Sequence, residues 1–391
     1  MTMSKRPYRG LFILHEGVGS TIFNSQILEH VKMFQEFEIL TFETFKHSWN
    51  TSKKNLKLIR ESNNVEIKLH KGVNIYLPFA IIINSILLLR LLLRRKGEFD
   101  FIHARADYTT FLCILLKPFH NLPVIWDCRG DTVAELSDTV SRKNILFKII
   151  HFIYWSPLYN LILKINSSKN DYSIFVSKEL QKKFYDKKIN SSVIPCLVSA
   201  NLFYFDESLR VKTRKQFNYE ENEKIFLYSG SMVGYQAIEE NIKIFKEILN
   251  KDSKNRILIA TSQINTAKKL FNEFSSNQLR IINMPFSQMN SIYNMVDFSI
   301  LIRKNHPLNL VASPTKFGEY CMTGLPVIMN DSVQQSYEIG QKLNNLVNLE
   351  NVKQVSNKIR GGIAEKAKDF FAREILITKY IHIYEAVSRK K

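Results

Sequence analysis

The chemistry of this chain concentrates in the segment from Ser313 to Glu319, where a hydroxyl, a proline, a second hydroxyl, a lysine and a carboxylate follow one another closely. Ser313 is placed to cap a helix and Pro314 to fill its first position, while Gly324 and Pro326 stop it before a short apolar run. On such a helix Thr315 and Lys316 occupy the first turn and share a face with Glu319, because residues three and four apart are neighbours. First-turn N–H groups lack partners, so with Lys316 beside them they attract phosphate. A carboxylate one turn deeper suits neutral hydroxyls farther along the same ligand. Phosphate next to hydroxyls describes a nucleotide sugar. The alternative is a well-capped helix on which Lys316 and Glu319 are solvated and paired with each other.

Further candidates stand at the ends of strand-like runs. Gly17 and Gly19 form a glycine turn after "GLFILHE", and they match the start of a dinucleotide fingerprint. The third glycine position is Ile22, however, and no ribose-binding acid is placed downstream. His103 and Arg105 follow "FDFI" and Arg129 follows "LPVIWDC", three basic side chains directed at one crevice. The alternatives are a buried, hydrogen-bonded His103 and an Arg129 salt-bridged to Asp127 or Asp131. Gly230 and Ser231 follow "KIFLYS", with Gly234 soon after, and Arg303 and Lys304 follow "DFSILI".

The elements that must position these residues alternate between short β-branched runs and longer helical patterns, the signature of parallel sheets with helical crossovers. Seven strand candidates precede about residue 200: "GLFILHE", "EFEILTF", "VEIKLH", "FDFIHA", "LPVIWDC", "YSIFVS" and "SVIPCL". Five follow it: "KIFLYSG", "RILIAT", "LRIINM", "DFSILIR" and "LPVIMN". Pro195 and an irregular polar stretch from Asn201 to Glu223 separate two α/β units. The tract "LPFAIIINSILLLRLLLRRK" predicts a mostly buried helix from Phe79 to Leu93, since Asn84 and Arg90 interrupt it short of a membrane span.

At 391 residues the chain suits two domains, and its 45% apolar and 23% charged residues describe a folded protein. Its net charge of +19 calls for a polyanionic neighbour. The basic residues are scattered in knots such as "RLLLRRK" and "KTRK", not gathered in a stripe with interleaved aromatics, so nucleic acid is not expected. Four cysteines, at 113, 128, 196 and 321, show neither metal spacing nor a disulfide framework, and the basic N-terminus lacks the pattern of a signal peptide. A cytoplasmic protein is expected.

In order, "EGVGSTIFNSQILEHV", "FIHARADYTTFL", "VIWDCRGD", "VIPCLV", "YSGSMVGYQ" and "SPTKFGEYCMTGLPVI" resemble the landmarks of GT-B glycosyltransferases, most closely those of glycosyltransferase family 4. The resemblance implies an α/β fold of GT-B architecture, two Rossmann-like parallel-sheet domains facing each other across a cleft. It places the acceptor-side domain at 1–200, the donor-binding domain at 201–370 and a terminal helix at 371–391 that packs back on the first domain. It implies a retaining transfer from a nucleotide-sugar donor, a UDP- or GDP-sugar, to a glycan or lipid-linked glycan acceptor in surface polysaccharide synthesis. It implies neither metal nor further cofactor. His103, Arg129, Lys316 and Glu319 take the catalytic roles, with Gly17, Gly19, Arg105, Gly230, Ser231, Arg303, Lys304, Ser313 and Thr315 as binding residues. His103 would orient sugar or acceptor, and Glu319 would hold the ribose.

Two segments depart from the pattern. Val311 stands where the family carries a glutamate, and "SGSMVGYQAIEEN" lacks the arginine and lysine that hold the diphosphate. Lys316, Arg129 and Arg303 or Lys304 are expected to supply that charge. The apolar tract ending in "RLLLRRK" and the segment "NILFKIIHFIYWSPLYNLILKI" add an expectation of peripheral contact with an anionic membrane surface on its inner face. A nucleotide-sugar epimerase of the same architecture, and a noncatalytic basic protein that binds membrane or nucleic acid, are the rival readings.

Overall fold

The structure, a computed structural model, describes residues 8–15, 17–18, 22–34, 37–43, 48–62, 65–75, 77, 79–141, 144–185, 189–232 and 236–389. Two compact units divide the chain: Met1–Ile194 together with Ile377–Lys391, and Pro195–Leu376.

Unit 1 holds a seven-stranded sheet of β1 (Gly10–Leu14), β2 (Phe37–Glu43), β3 (Glu66–Lys71), β4 (Phe101–Arg105), β5 (Val124–Cys128), β6 (Tyr172–Phe175) and β7 (Ser191–Val193). Every pairing is parallel, in the order β3-β2-β1-β4-β5-β6-β7. Strands β1, β2, β4 and β5 are buried along their whole length because both faces are covered, whereas β3 and β7 at the edges are only partly buried. On one face, Leu11, Ile13, Ile102 and Val124 meet Leu88 and Leu92 of helix Ala80–Arg94, Leu112 of helix Asp107–Leu115, and Ile162 of helix Ser156–Lys169. Each such side chain, fully buried, stabilises the fold by roughly 1.5–3 kcal/mol. On the other face Tyr384, in the terminal helix Arg373–Ser388, stacks on Phe101 at 4.9 Å.

Helix Ala80–Arg94 corrects one expectation. It is buried on one side only: Asn84 donates to the Tyr108 hydroxyl at 2.9 Å, while Ile82, Ile83 and Ile86 are exposed. An all-apolar composition hid which face the core uses.

Unit 2 holds β8 (Lys224–Ser229), β9 (Asn255–Ala260), β10 (Leu279–Ile282), β11 (Phe298–Leu301) and β12 (Val327–Met329), all parallel, in the order β10-β9-β8-β11-β12. The stretch read as irregular contains a helix, Glu207–Gln216, capped by the Asp206 carboxylate, which accepts the Leu209 N–H at 3.0 Å. Its inward face carries cations instead of apolar groups. Arg210 donates to the carbonyls of Asn294, Met295 and Val296, and both Arg210 and Arg214 pair with Asp297. Hydrophobic periodicity has nothing to detect in such a helix.

In each sheet the strand order reverses once, between β1 and β4 and between β8 and β11. Loops leaving the carboxyl ends of those strands diverge there, which leaves room for a ligand.

Candidate functional site

In unit 2 the segment from Ser313 to Glu319 lies between β11 and β12. Its helix runs from Thr315 to Met322, with Pro314 in the capping position and no side-chain cap. This corrects the role given to Ser313. A residue before proline is held extended, and the Ser313 hydroxyl accepts the Cys196 N–H at 3.0 Å instead. The helix ends where Gly324 takes φ +61, its would-be Cβ 2.0 Å from the Arg360 carbonyl oxygen, so no side chain fits there.

Glu319 is 1% exposed. Its Oε2 accepts from Lys316 Nζ at 3.0 Å and from the Tyr293 hydroxyl at 2.7 Å, and Lys316 also donates to that hydroxyl at 3.0 Å. Among the described residues, Oε1 accepts no hydrogen bond. Lys316 and Glu319 are therefore paired, but they are not the solvated surface pair of the alternative reading. Taking a carboxylate out of water costs several kcal/mol, which the ammonium and the phenol offset. Burial, and then the adjacent Glu319 charge, push the Tyr293 phenol well above its ordinary range, so it stays a donor. Tyr293 was missed from sequence, because a buried aromatic on a short helix looks like any core tyrosine.

The other unit 2 candidates sit at the β8–β11 reversal. Gly230 follows β8 and donates its N–H to Ala260 at 3.1 Å, and the Ser231 carbonyl accepts the Tyr228 hydroxyl at 2.9 Å. Gly234 lies outside the described residues. Arg303 is buried, with its backbone bonded in both directions to the Asn330 amide, whereas Lys304 is exposed. Val311 is buried as well, an apolar packing residue at the family's glutamate position.

In unit 1 the expected cations converge on a carboxylate. Asp127 lies 3.3 Å from Arg105, 3.3 Å from Arg129 and 3.5 Å from His103. Arg129 also donates to Gln26 at 3.3 Å. Burial alone would raise the Asp127 carboxyl, but Arg129, His103 and Arg105 together hold it well below the usual carboxylate range. The alternative salt bridge for Arg129 is present, to Asp127. Arg105 closes β4 and is buried, so it is part of the strand and not of a loop beyond it.

His103 has a packing role in the structure. It lies inside β4, 1% exposed, stacked on Phe12 at 4.3 Å, and its Nδ1 shares a hydrogen bond of 2.9 Å with the Tyr384 hydroxyl. Burial pushes its pKa down, so the ring is neutral. In this structure it anchors the terminal helix to the sheet, through Phe12 on one side and the Tyr384 hydroxyl on the other.

Gly17 presses on Glu43, whose Oε2 would stand 2.7 Å from a Cβ there and accepts from Ser52 at 2.7 Å. A carboxylate thus closes β2 beside the glycine turn, where no such acid was expected. Gly19 lies outside the described residues. Ala106, between Arg105 and helix Asp107–Leu115, takes φ +67, ψ 165 and is held by its N–H bond to the Asp127 carbonyl at 3.1 Å. That conformation is strained for any residue but glycine, costing about 1–3 kcal/mol. Among the described residues, no group of three His, Cys, Asp or Glu side chains is placed to hold a metal ion.

No protein-family model matches this chain, and no curated protein matches it by sequence. Solved structures do match along nearly its whole length. HepE from Anabaena, in complex with UDP, gives a TM-score of 0.68 at 10% identity, covering 97% of this chain and 100% of that one. The fold is that of the GT-B glycosyltransferases. Sucrose-phosphate synthase from Thermosynechococcus elongatus gives 0.65 at 12% identity, covering 98% and 100%. WaaG, a glycosyltransferase involved in lipopolysaccharide biosynthesis, gives 0.58 at 11% identity, covering 92% and 94%. At these identities the likeness is one of fold.

Proposed function

We propose that this chain is a retaining glycosyltransferase of the family 4 type, which moves a hexose from a UDP- or GDP-sugar to a hydroxyl of a lipid-linked glycan. The acceptor belongs to surface polysaccharide synthesis, and the reaction takes place on the cytoplasmic face of the membrane with neither metal nor further cofactor. One observation carries the reading: the Lys316–Glu319–Tyr293 cluster on the helix that follows β11, in a GT-B fold. That HepE was solved with UDP bound supports a nucleotide as the ligand.

The first turn of helix Thr315–Met322 and the Lys316 ammonium receive the diphosphate. Lys316 is half-buried and carries three donors, so it can hold Glu319 and a phosphate oxygen together. Lys304, exposed at the end of β11, adds the charge that the segment after Gly230 lacks. Glu319, fixed through Oε2, presents Oε1 to the ribose hydroxyls.

In the transfer, the bond from the anomeric carbon to the phosphate oxygen breaks and its electron pair stays on the diphosphate. The acceptor oxygen bonds to the same face of that carbon, and its proton passes to the departing phosphate. No protein nucleophile is required. The protein's contribution is preorganised positive charge where negative charge grows, a task we assign in unit 2 to Lys316 and Lys304, with Arg129 the separate candidate on unit 1.

A thermal-shift screen against UDP, GDP, CMP and their sugars tests the reading, because a ligand that binds only the folded state raises Tm with concentration. A rise with UDP or GDP compounds is expected. No shift with any nucleotide would overturn the reading.

A further inference from the structure

We propose that unit 1 docks on an anionic lipid bilayer through two helical stripes, one on Ala80–Arg94 and its leading turn, the other running from Ile145 through Trp155. This deepens the reading above, on which it rests for the use of a lipid-linked acceptor but not for its observations.

Phe79 is 70% exposed and Ile82 57%, and Ile86 continues the same side of the helix one turn on. In the second stripe Phe152 is 80% and Ile153 69% exposed, with Phe147 exposed nearby. These are not loosely packed core positions. The inner faces of both elements are already committed to one shared core, where Leu88 and Leu92 of the first helix join Tyr159 and Ile162 of the helix that continues the second stripe. Both stripes therefore form the outer surface of a single helical layer on one face of the unit 1 sheet. An exposed apolar surface of this extent needs an occupant.

Charge selects the occupant. Neither Ala80–Arg94 nor Ile145–Lys169 contains an acidic residue, while Arg90, Arg94, Lys148 and Lys164 are exposed among the apolar side chains. Two copies of this chain would set cation against cation. An anionic bilayer offers acyl chains for the phenylalanines and isoleucines and phosphate headgroups for the lysines and arginines. Among the described residues no helix is long and apolar enough to cross a membrane, so the stripes lie in its interface.

Flotation of the full chain tests this, with vesicles of phosphatidylcholine alone and of phosphatidylcholine carrying phosphatidylglycerol. Co-flotation with the anionic vesicles only, weakening as salt is raised, is expected. The double variants Phe79→Ser/Ile82→Ser and Phe152→Ser/Ile153→Ser should each lower partitioning by roughly tenfold or more while binding UDP or GDP like the wild type. Absence of flotation at low salt, or full flotation by both variants, would overturn the proposal. So would a lipid-free dimer, seen by sedimentation, that these variants dissociate. Flotation without nucleotide binding would support the docking surface and count against the transferase reading, which keeps the two separable.

Discussion

Lys316 and Glu319 stand one helical turn apart and meet at 3.0 Å, with the carboxylate buried and the lysine only partly so. An exposed pair at this spacing contributes roughly 0.3–0.5 kcal/mol. This one shields a buried charge, and removing the lysine leaves Glu319 with Tyr293 alone. Lys316→Met should therefore cost about 1–3 kcal/mol, discounted from a fully buried pair because Lys316 reaches solvent. Urea denaturation of Lys316→Met, Glu319→Gln and the double variant measures the coupling. The double variant should recover part of the loss; strict additivity would show that the pair does not interact.

Arg129→Ala and His103→Phe separate a charge-bearing role from a packing role. Arg129→Ala should lower turnover by roughly a hundredfold or more, measured per folded molecule. His103→Phe keeps the stack on Phe12, loses the bond to Tyr384, and should reduce stability with turnover nearly intact. Reversal of the two phenotypes would place His103 in the site and remove Arg129.

Asp107 gives a pH test. It accepts from Trp126 at 2.9 Å and from Thr132, and burial pushes its carboxyl up to about 6 despite those bonds. A carboxyl raised in the folded state binds its proton more tightly there than when unfolded. Its contribution is complete below about pH 4 and is lost as pH rises through 6, a change of about 3 kcal/mol. Asp107→Asn keeps an acceptor for Trp126 and cannot ionise. Relative to that variant, the wild type should lose stability between about pH 4 and pH 7 in urea titrations. A difference that stays constant across this range would contradict the assignment.

Ala106 carries backbone strain at φ +67. Glycine relieves it, at the cost of a more flexible unfolded chain, and Ala106→Gly should raise stability by about 1 kcal/mol. A lower Tm for this variant would mean that the alanine methyl contributes more than the strain costs.

All twelve strands were legible: strands buried along their length, such as β1, β8 and β11, read as apolar runs, and the partly buried β3 shows through its alternation of charged and apolar residues. The ends themselves were not legible. The strand candidate "FDFIHA" runs through His103 but stops short of Arg105, since what keeps that arginine inside is Asp127, distant in sequence. Helix Glu207–Gln216 escaped because arginines form its inward face. The Lys316–Glu319 pair followed from helical spacing alone, whereas its burial and its third member, Tyr293, depend on a packing partner that spacing cannot name. For the same reason the outer face of helix Ala80–Arg94 stayed hidden among equally apolar residues.

The central claim is that Glu319 holds a ribose. Glu319→Gln keeps the shape and exchanges a charged acceptor for a neutral amide, so hydrogen bonds to the hydroxyls weaken and donor affinity should fall by roughly 1.5–3 kcal/mol. Calorimetric binding of the nucleoside diphosphate and of its 2′,3′-dideoxy analogue to both proteins measures this directly. The wild type should discriminate strongly between the two ligands and the variant hardly at all; equal discrimination by both proteins would contradict the account.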